Sequence, residues 1–164
     1  MSSPALKLML SLHVVTSVGL LGAVASFFLL SLLGLISANE AVLRSTYIAM
    51  DPIARMIIVP LAICALLVGI LQSLTTPWGL VRHYWVIFKL LITILVVLVL
   101  LMQLSPIAAL ARYASEISFD PAVLYRPRLS AALHAGVGLV VLLVPVILSI
   151  FKPRATTRFA APTR

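Results

Sequence analysis

Charged side chains, and acidic ones above all, are scarce in this chain. Its 164 residues include four Asp and Glu against twelve Lys and Arg, and charged residues make up 10% of the total. The mean hydropathy of +1.22 and the 63% content of hydrophobic residues lie far from the balance of a soluble domain. Too little polar sequence remains for a water-soluble catalytic domain, and the composition predicts an integral membrane protein.

Cysteine is nearly absent as well. The single cysteine, Cys64, excludes a disulfide within the chain. It lies in an apolar run, where a lone thiol is more often a packing group than a reactive one. This leaves the histidines as the chemically interesting side chains.

Long apolar runs, in contrast, fill most of the chain. The first extends from Leu8 to Ile36 without a charged residue, and three others cover about 52–74, 85–104 and 129–151. Each is close to or above the roughly 20 residues that a spanning helix needs. The sequence therefore predicts an all-α fold, a single domain 1–164 forming an integral membrane bundle of four transmembrane helices. The first run exceeds the apolar core of a signal peptide, about 7–15 residues, so we expect it to be retained.

The basic residues predict the orientation of this bundle. Seven Lys and Arg lie on the side that carries both termini, against five on the opposite side, where all four acids lie. Because cytoplasmic segments are enriched in Lys and Arg, both termini are predicted to lie on the cytoplasmic side. The net charge of +8 is then interpreted as a topology signal and a contact with anionic lipid headgroups, not as a nucleic-acid-binding surface.

Prolines predict where the helices begin and bend. Asp51 followed by Pro52 is typical of an N-cap and a first helical residue, so the second spanning helix is predicted to start there, after a short interfacial helix. Pro60 predicts a kink within that helix. Pro106 is expected to break or bend the third helix, and residues 107–114 are expected to lie along the interface.

Three histidines are the candidate ligands of a cofactor. His13 and His83 lie toward the cytoplasmic side, and His134 lies in the outer half. In one arrangement His13 holds haem iron, with His83 or an open position opposite. In another, His134 pairs with a sulfur such as Met102 or Met56. Histidine and methionine also suit Cu(I), so copper bound through His13 or His134 is the alternative to haem b.

The same polar residues also fit structural roles. Each histidine can hydrogen-bond to a neighbouring carbonyl or hydroxyl, as His13 can to Ser17, and bind nothing. Lys89 can snorkel to the headgroups beside the aromatic belt that contains Tyr84 and Trp85. Alternatively, Lys89 points inward, where its ammonium group can meet a carboxylate or a propionate.

Three motifs carry a resemblance that extends over nearly the whole chain. They are His13-x-x-x-Ser17-Val18-Gly19-Leu20-Leu21-Gly22-Ala23, then Thr76-Pro77-Trp78-Gly79-Leu80-x-Arg82-His83-Tyr84-Trp85 followed by Lys89-Leu90, and Leu133-His134-Ala135-Gly136-x-Gly138 with Lys152-Pro153-Arg154. In these motifs the chain resembles a group of small bacterial four-helix membrane proteins. The resemblance implies a multi-pass protein of the bacterial cytoplasmic (inner) membrane.

A more remote resemblance bears on function. His13 in the first helix and Trp85-x-x-x-Lys89-Leu90-Leu91 in the third are similar to the copper-resistance D-like proteins and to the haem-containing bacterial protoporphyrinogen oxidase. In that oxidase the first-helix histidine ligates haem b and the third-helix lysine is essential. The resemblance therefore implies that His13 is a haem ligand and Lys89 a functional, catalytic cation.

The predicted function is that of a membrane haem b-binding protein in electron transfer or porphyrin-related redox chemistry. Its expected partners are the lipid bilayer, a membrane redox partner and further copies or other subunits. The alternatives are a non-catalytic membrane subunit whose polar residues specify assembly, and a copper-handling membrane protein. A small transporter or channel is disfavoured because the predicted helices contain no carboxylate and no obvious repeat.

Overall fold

Helices account for the regular structure of this chain. The computed structural model describes residues 4–76, 79–117, 119–120, 123–151 and 156–157. The elements are α1 (Pro4–Ile36), α2 (Glu40–Ile53), a π-helical turn (Ala54–Ile58), α3 (Val59–Thr75), α4 (Tyr84–Ala114) and α5 (Tyr125–Phe151). The described residues contain no β-strand, and the predicted all-α fold is confirmed.

Within the described part of the chain, four helical segments are long and apolar enough to cross a bilayer. They are α1, the stretch Glu40–Thr75, α4 and α5. The 33 residues of α1 extend for about 50 Å, more than the roughly 30 Å of a hydrocarbon core, so this helix must tilt or protrude. The prediction of a multi-pass membrane bundle with four spanning helices is confirmed.

The second span begins earlier than the Asp51-Pro52 pair predicts. Asn39 caps α2, because its side-chain oxygen accepts hydrogen bonds from two backbone N–H groups at 2.9 and 3.3 Å. The helix then continues through Pro52 into the π-helical turn. Pro60 follows as the second residue of α3, directly after the π-helical turn. The irregularity expected at Pro60 is thus a π turn directly before it.

The third span continues past its predicted end. α4 runs through Pro106 to Ala114, since membrane helices tolerate proline where neighbouring elements pack around it. The extension packs against α2, so it does not form a separate interfacial helix. The buried apolar residues of the two segments are Leu43, Tyr47, Met50, Ile107, Leu110 and Ala114.

Arginines close the C-terminal ends of helices at the end of the bundle where α1 and α4 finish; this end is called the outer end below, after the orientation that the sequence predicts. Arg128 of α5, which is 7% exposed, donates to the carbonyls of Gly34 and Leu35 and to the Tyr47 hydroxyl, at 2.6, 3.1 and 2.9 Å. Arg44 donates in the same way to carbonyls at and beyond the end of α4. These guanidinium groups satisfy carbonyls that have no partner within their helix, and their charge complements the helix dipole.

Candidate functional site

A large cavity in the bundle, called the larger cavity below, lies at the end where α1 and α4 begin. Its volume is about 430 Å³, and α1, α3, α4 and α5 all contribute to its wall. The polar and indole side chains along this wall are His13, Ser17, Gln72, Ser73, Thr76, Trp85, Lys89, Thr93 and Ser149. The rest of the wall is apolar. A cavity of this size and character is typical of a small-molecule or cofactor site.

His13 and Lys89 meet in this cavity although they are 76 positions apart in the sequence. The Nζ atom of Lys89 lies 3.3 Å from Nε2 of His13 and donates to Oγ of Ser149 at 2.7 Å. Ser149 donates in turn to the carbonyl of Pro145 at 2.7 Å. Of the two orientations that the sequence leaves open, Lys89 therefore has the inward one.

This contact indicates which nitrogen of His13 can act as a ligand. An ammonium group has donors only, so Nε2 supplies the lone pair in its hydrogen bond with Lys89, and the ring proton belongs on Nδ1. Nδ1 is buried near the backbone of Ala65, without a hydrogen bond of ordinary geometry among the described residues. Nε2 is therefore the nitrogen of His13 that can act as a ligand, in exchange for its contact with Lys89.

Glycines of the packed helices make room for the imidazole. A Cβ atom on Gly69 of α3 would lie 3.0 Å from Cε1 of His13, which is closer than an ordinary contact. On α1, a Cβ atom on Gly19 would lie 3.7 Å from the methyl groups of Leu61. The absence of a side chain at Gly69 therefore lets the His13 ring approach α3, whereas Gly19 has room for a methyl group.

His83 is not brought into this cavity. It occupies the N-cap position of α4, and its backbone forms a bridge with Thr156. Its ring lies 6.4 Å from that of Trp85, centre to centre, and it is not among the cavity-lining residues. The structure therefore does not join His13 and His83 as a ligand pair.

His134 lines a different, smaller cavity of about 200 Å³ in the outer half. Its Nδ1 lies 2.8 Å from the carbonyl and 3.2 Å from the hydroxyl of Ser130. These are hydrogen-bond contacts within α5, of the kind expected for a histidine with a structural role. Met102 and Met56 are each 77% exposed, and neither lines that cavity. The structure therefore does not bring His134 together with either methionine sulfur.

The donor set limits what the larger cavity can hold. Within the described part of the chain, no three His, Cys, Asp or Glu side chains are grouped closely enough to share a metal ion. A metal held by a macrocycle needs only one or two ligands from the protein, and His13 offers one. The cationic group of Lys89 beside it suits a carboxylate on the same ligand. These residues fit haem b.

Two residues of this site have no clear signal in the sequence. Ser149 follows Pro145 by one helical turn, and its hydroxyl bonds to the Pro145 carbonyl. Such a serine is ordinary in a membrane helix. Gly69 is equally inconspicuous, because its role depends on which residue of α1 faces it.

Comparisons of the chain with protein-family models, with curated proteins and with solved structures find no match.

Proposed function

We propose that this chain is a membrane haem b-binding protein that takes part in electron transfer or porphyrin-related redox chemistry. The observation that carries the proposal is the contact between His13 and Lys89 inside the larger cavity. These are the two residues to which the resemblance to haem-containing bacterial protoporphyrinogen oxidase assigns the ligand and the functional cation. When bound, haem supplies one-electron redox chemistry.

His13 would hold the haem iron through Nε2. The imidazole ring lies between α1 and α3, next to the backbone of Ala65. It fits there because Gly69 has no side chain. Binding through Nε2 requires this atom to exchange its contact with Lys89. Apolar side chains from four helices are available to cover the two faces of a flat macrocycle and to exclude water from it.

Lys89 pairs with a propionate of the same ligand. With Nε2 of His13 committed to haem, the ammonium group of Lys89 would keep its hydrogen bond to Ser149 and would offer its remaining donors to a carboxylate. A cation inside a membrane bundle is costly without a partner, so this ion pair stabilises both groups.

The test is the optical spectrum of the full chain, purified in mild detergent from haem-supplemented cells and measured before and after dithionite reduction. We expect a Soret band and reducible α and β bands at about one haem per chain, as for a b-type centre. His13→Ala should abolish or shift this spectrum. His134→Ala is the matched control, because His134 lines the other cavity, and its spectrum should match that of the wild type.

Two outcomes would contradict the proposal. A preparation that stays colourless after haem supplementation would remove haem binding and favour a non-catalytic membrane subunit. A spectrum lost in His134→Ala but kept in His13→Ala would move the haem to the outer half and remove the assignment of His13.

A further inference from the structure

A short segment after α5 pairs with the connection between α3 and α4. Thr156 forms an antiparallel β-bridge with His83. The backbone N–H of Thr157 donates to the carbonyl of Arg82 at 2.9 Å, and its hydroxyl donates to the carbonyl of Val81 at 2.5 Å. Thr157 is 8% exposed, so water competes little for these hydrogen bonds. Thr156 and Thr157, called the C-terminal clasp below, thus hold the connection in place.

The connection that the clasp holds belongs to the wall of the larger cavity. Leu80 and Trp85, which flank the paired residues 81–83 on the two sides, both line this cavity. Ile150, in the last turn of α5, lines it as well. The clasp therefore links two parts of the cavity wall, the end of α5 and the connection between α3 and α4.

Gly79 gives this connection a position about which it can turn. Its φ of +61° is one that side-chain-bearing residues rarely adopt, and its N–H donates to the carbonyl of Thr76 at 3.2 Å. A Cβ atom on Gly79 would lie 2.9 Å from the side chain of Arg82. Because glycine has access to a wide range of backbone angles, Gly79 is suited to act as a hinge between α3 and residues 80–83.

The clasp is weakly held in comparison with the packed helices. It meets the connection through hydrogen bonds to backbone carbonyls, and Val81, Arg82 and Thr156 are all exposed. Segments with few buried apolar contacts open locally at a lower free energy than a packed core. The clasp can therefore open while the four spanning helices stay together.

We propose that the C-terminal clasp controls access to the larger cavity. While the clasp is paired with the connection, Leu80 and Trp85 close the cavity at this end. When the clasp opens, the connection turns about Gly79 and water-soluble molecules can enter. This device does not depend on which ligand the cavity binds, so it is tested separately from haem binding at His13.

The test measures how readily a thiol reagent reaches the cavity. Ser17 lines the cavity, and Ser17→Cys in a Cys64→Ser background gives the full chain a single thiol there. A charged methanethiosulfonate, added to the protein in detergent, modifies this thiol only when water reaches it. Thr157→Pro removes both donors of Thr157, and we expect it to raise the modification rate about tenfold or more, the effect of two lost hydrogen bonds.

A matched pair of variants tests the hydroxyl of Thr157 alone. Thr157→Val keeps the backbone N–H and the shape of the side chain but loses the hydrogen bond to Val81, and we expect a rise of about fivefold. Thr156→Val is the control, because Thr156 is exposed and belongs to the clasp through its backbone. Its modification rate should equal that of the parent.

A second reporter separates opening of the cavity from unfolding of the bundle. Ser31 lies on α1 like Ser17, but it is 1% exposed and does not line the larger cavity. The thiol of Ser31→Cys, in the same Cys64→Ser background, should therefore be modified equally slowly with and without Thr157→Val.

Three results would overturn the clasp. The first is an equal modification rate of the Ser17→Cys thiol with and without Thr157→Pro. The second is an equal rate in Thr157→Val and Thr156→Val. The third is an equal rise at Ser17→Cys and Ser31→Cys in Thr157→Val, since the segment would then stabilise the whole bundle and not close one cavity.

Discussion

At the scale of single residues, Gly69 determines where the imidazole of His13 can lie. Gly69→Ala would place a methyl group 3.0 Å from Cε1 of His13, so the ring must move and its 3.3 Å contact with Lys89 must change. We expect haem affinity to fall by about tenfold or more, as it does when groups that orient a metal ligand are disturbed. Haem occupancy measured as the pyridine haemochrome checks this.

The control for this change is Gly19→Ala. The new methyl group would lie 3.7 Å from the methyl groups of Leu61, an ordinary contact, and we expect wild-type occupancy. Equal occupancy in the two variants would mean that Gly69 does not set the position of the ligand.

Lys89 can be tested as the partner of a propionate by changing the ligand as well as the protein. The wild type should bind haem b about tenfold or more tightly than the haem dimethyl ester, because hydrogen bonds to charged groups contribute about 1.5–3 kcal/mol. Lys89→Met should lose this preference, and Lys89→Arg should keep part of it. Titration of both ligands into the detergent-solubilised apoprotein measures the ratio.

A preference that persists in Lys89→Met would show that the carboxylates bind elsewhere. In that case the contact of Lys89 with His13 and Ser149 would be a packing interaction between α4, α1 and α5.

At the scale of elements, the outer end of α1 depends on Arg128 of α5. Arg128→Ala would leave the carbonyl of Leu35 without this donor and the carbonyl of Gly34 with the Tyr47 hydroxyl as its remaining partner. An unsatisfied group costs about 1–3 kcal/mol, so we expect the free energy of unfolding to fall by about 1–3 kcal/mol. Arg128→Lys should recover only part, because an ammonium group lacks the planar fork of a guanidinium group. Unfolding in detergent by circular dichroism measures this.

Arg126→Ala provides the comparison for Arg128. Arg126 lies on the same turn of α5 but is exposed, so we expect a change of no more than about 0.5 kcal/mol. Equal destabilisation by the two alanine variants would show that water replaces the Arg128 guanidinium at the end of α1.

The four spans could be predicted from the sequence, but two of their ends could not. Apolar length is a local property, and it located the spans. The prolines at positions 52 and 106 indicated helix boundaries, because proline by itself is unfavourable in the interior of a helix. In the fold, α2 packs against the end of α4, and this contact between distant segments keeps both prolines within helices.

For the candidate site, too, the sequence indicates single residues but not the contacts between distant segments. His13 and Lys89 could be singled out one at a time, because an imidazole and an ammonium group are costly in apolar helices. Their contact depends on how α1 and α4 are rotated about their axes, which neither helix pattern gives. The contribution of Ser149 from α5 is purely tertiary.

At the scale of the whole molecule, charges at the two ends of the bundle differ in their partners. At the outer end, Arg44 and Arg55 form ion pairs with Glu40 and Asp51, each at 2.8 Å. These two pairs and the carbonyl contacts of Arg128 give Arg44, Arg55 and Arg128 structural roles. Lys7 at the other end has no ion pair among the described residues, and its charge is available to lipid headgroups.

This distribution gives a prediction of orientation. Four spans place the two ends of the chain on one side, and the basic residues there favour the cytoplasm. In bacterial cells we expect a C-terminal green fluorescent protein fusion to be fluorescent and a C-terminal alkaline phosphatase fusion to be inactive. Phosphatase inserted between α1 and α2, at Ala38, should be active. The opposite pattern would open the cavity of His13 and Lys89 toward the non-cytoplasmic side, and haem loading and electron exchange would then have to occur from that side.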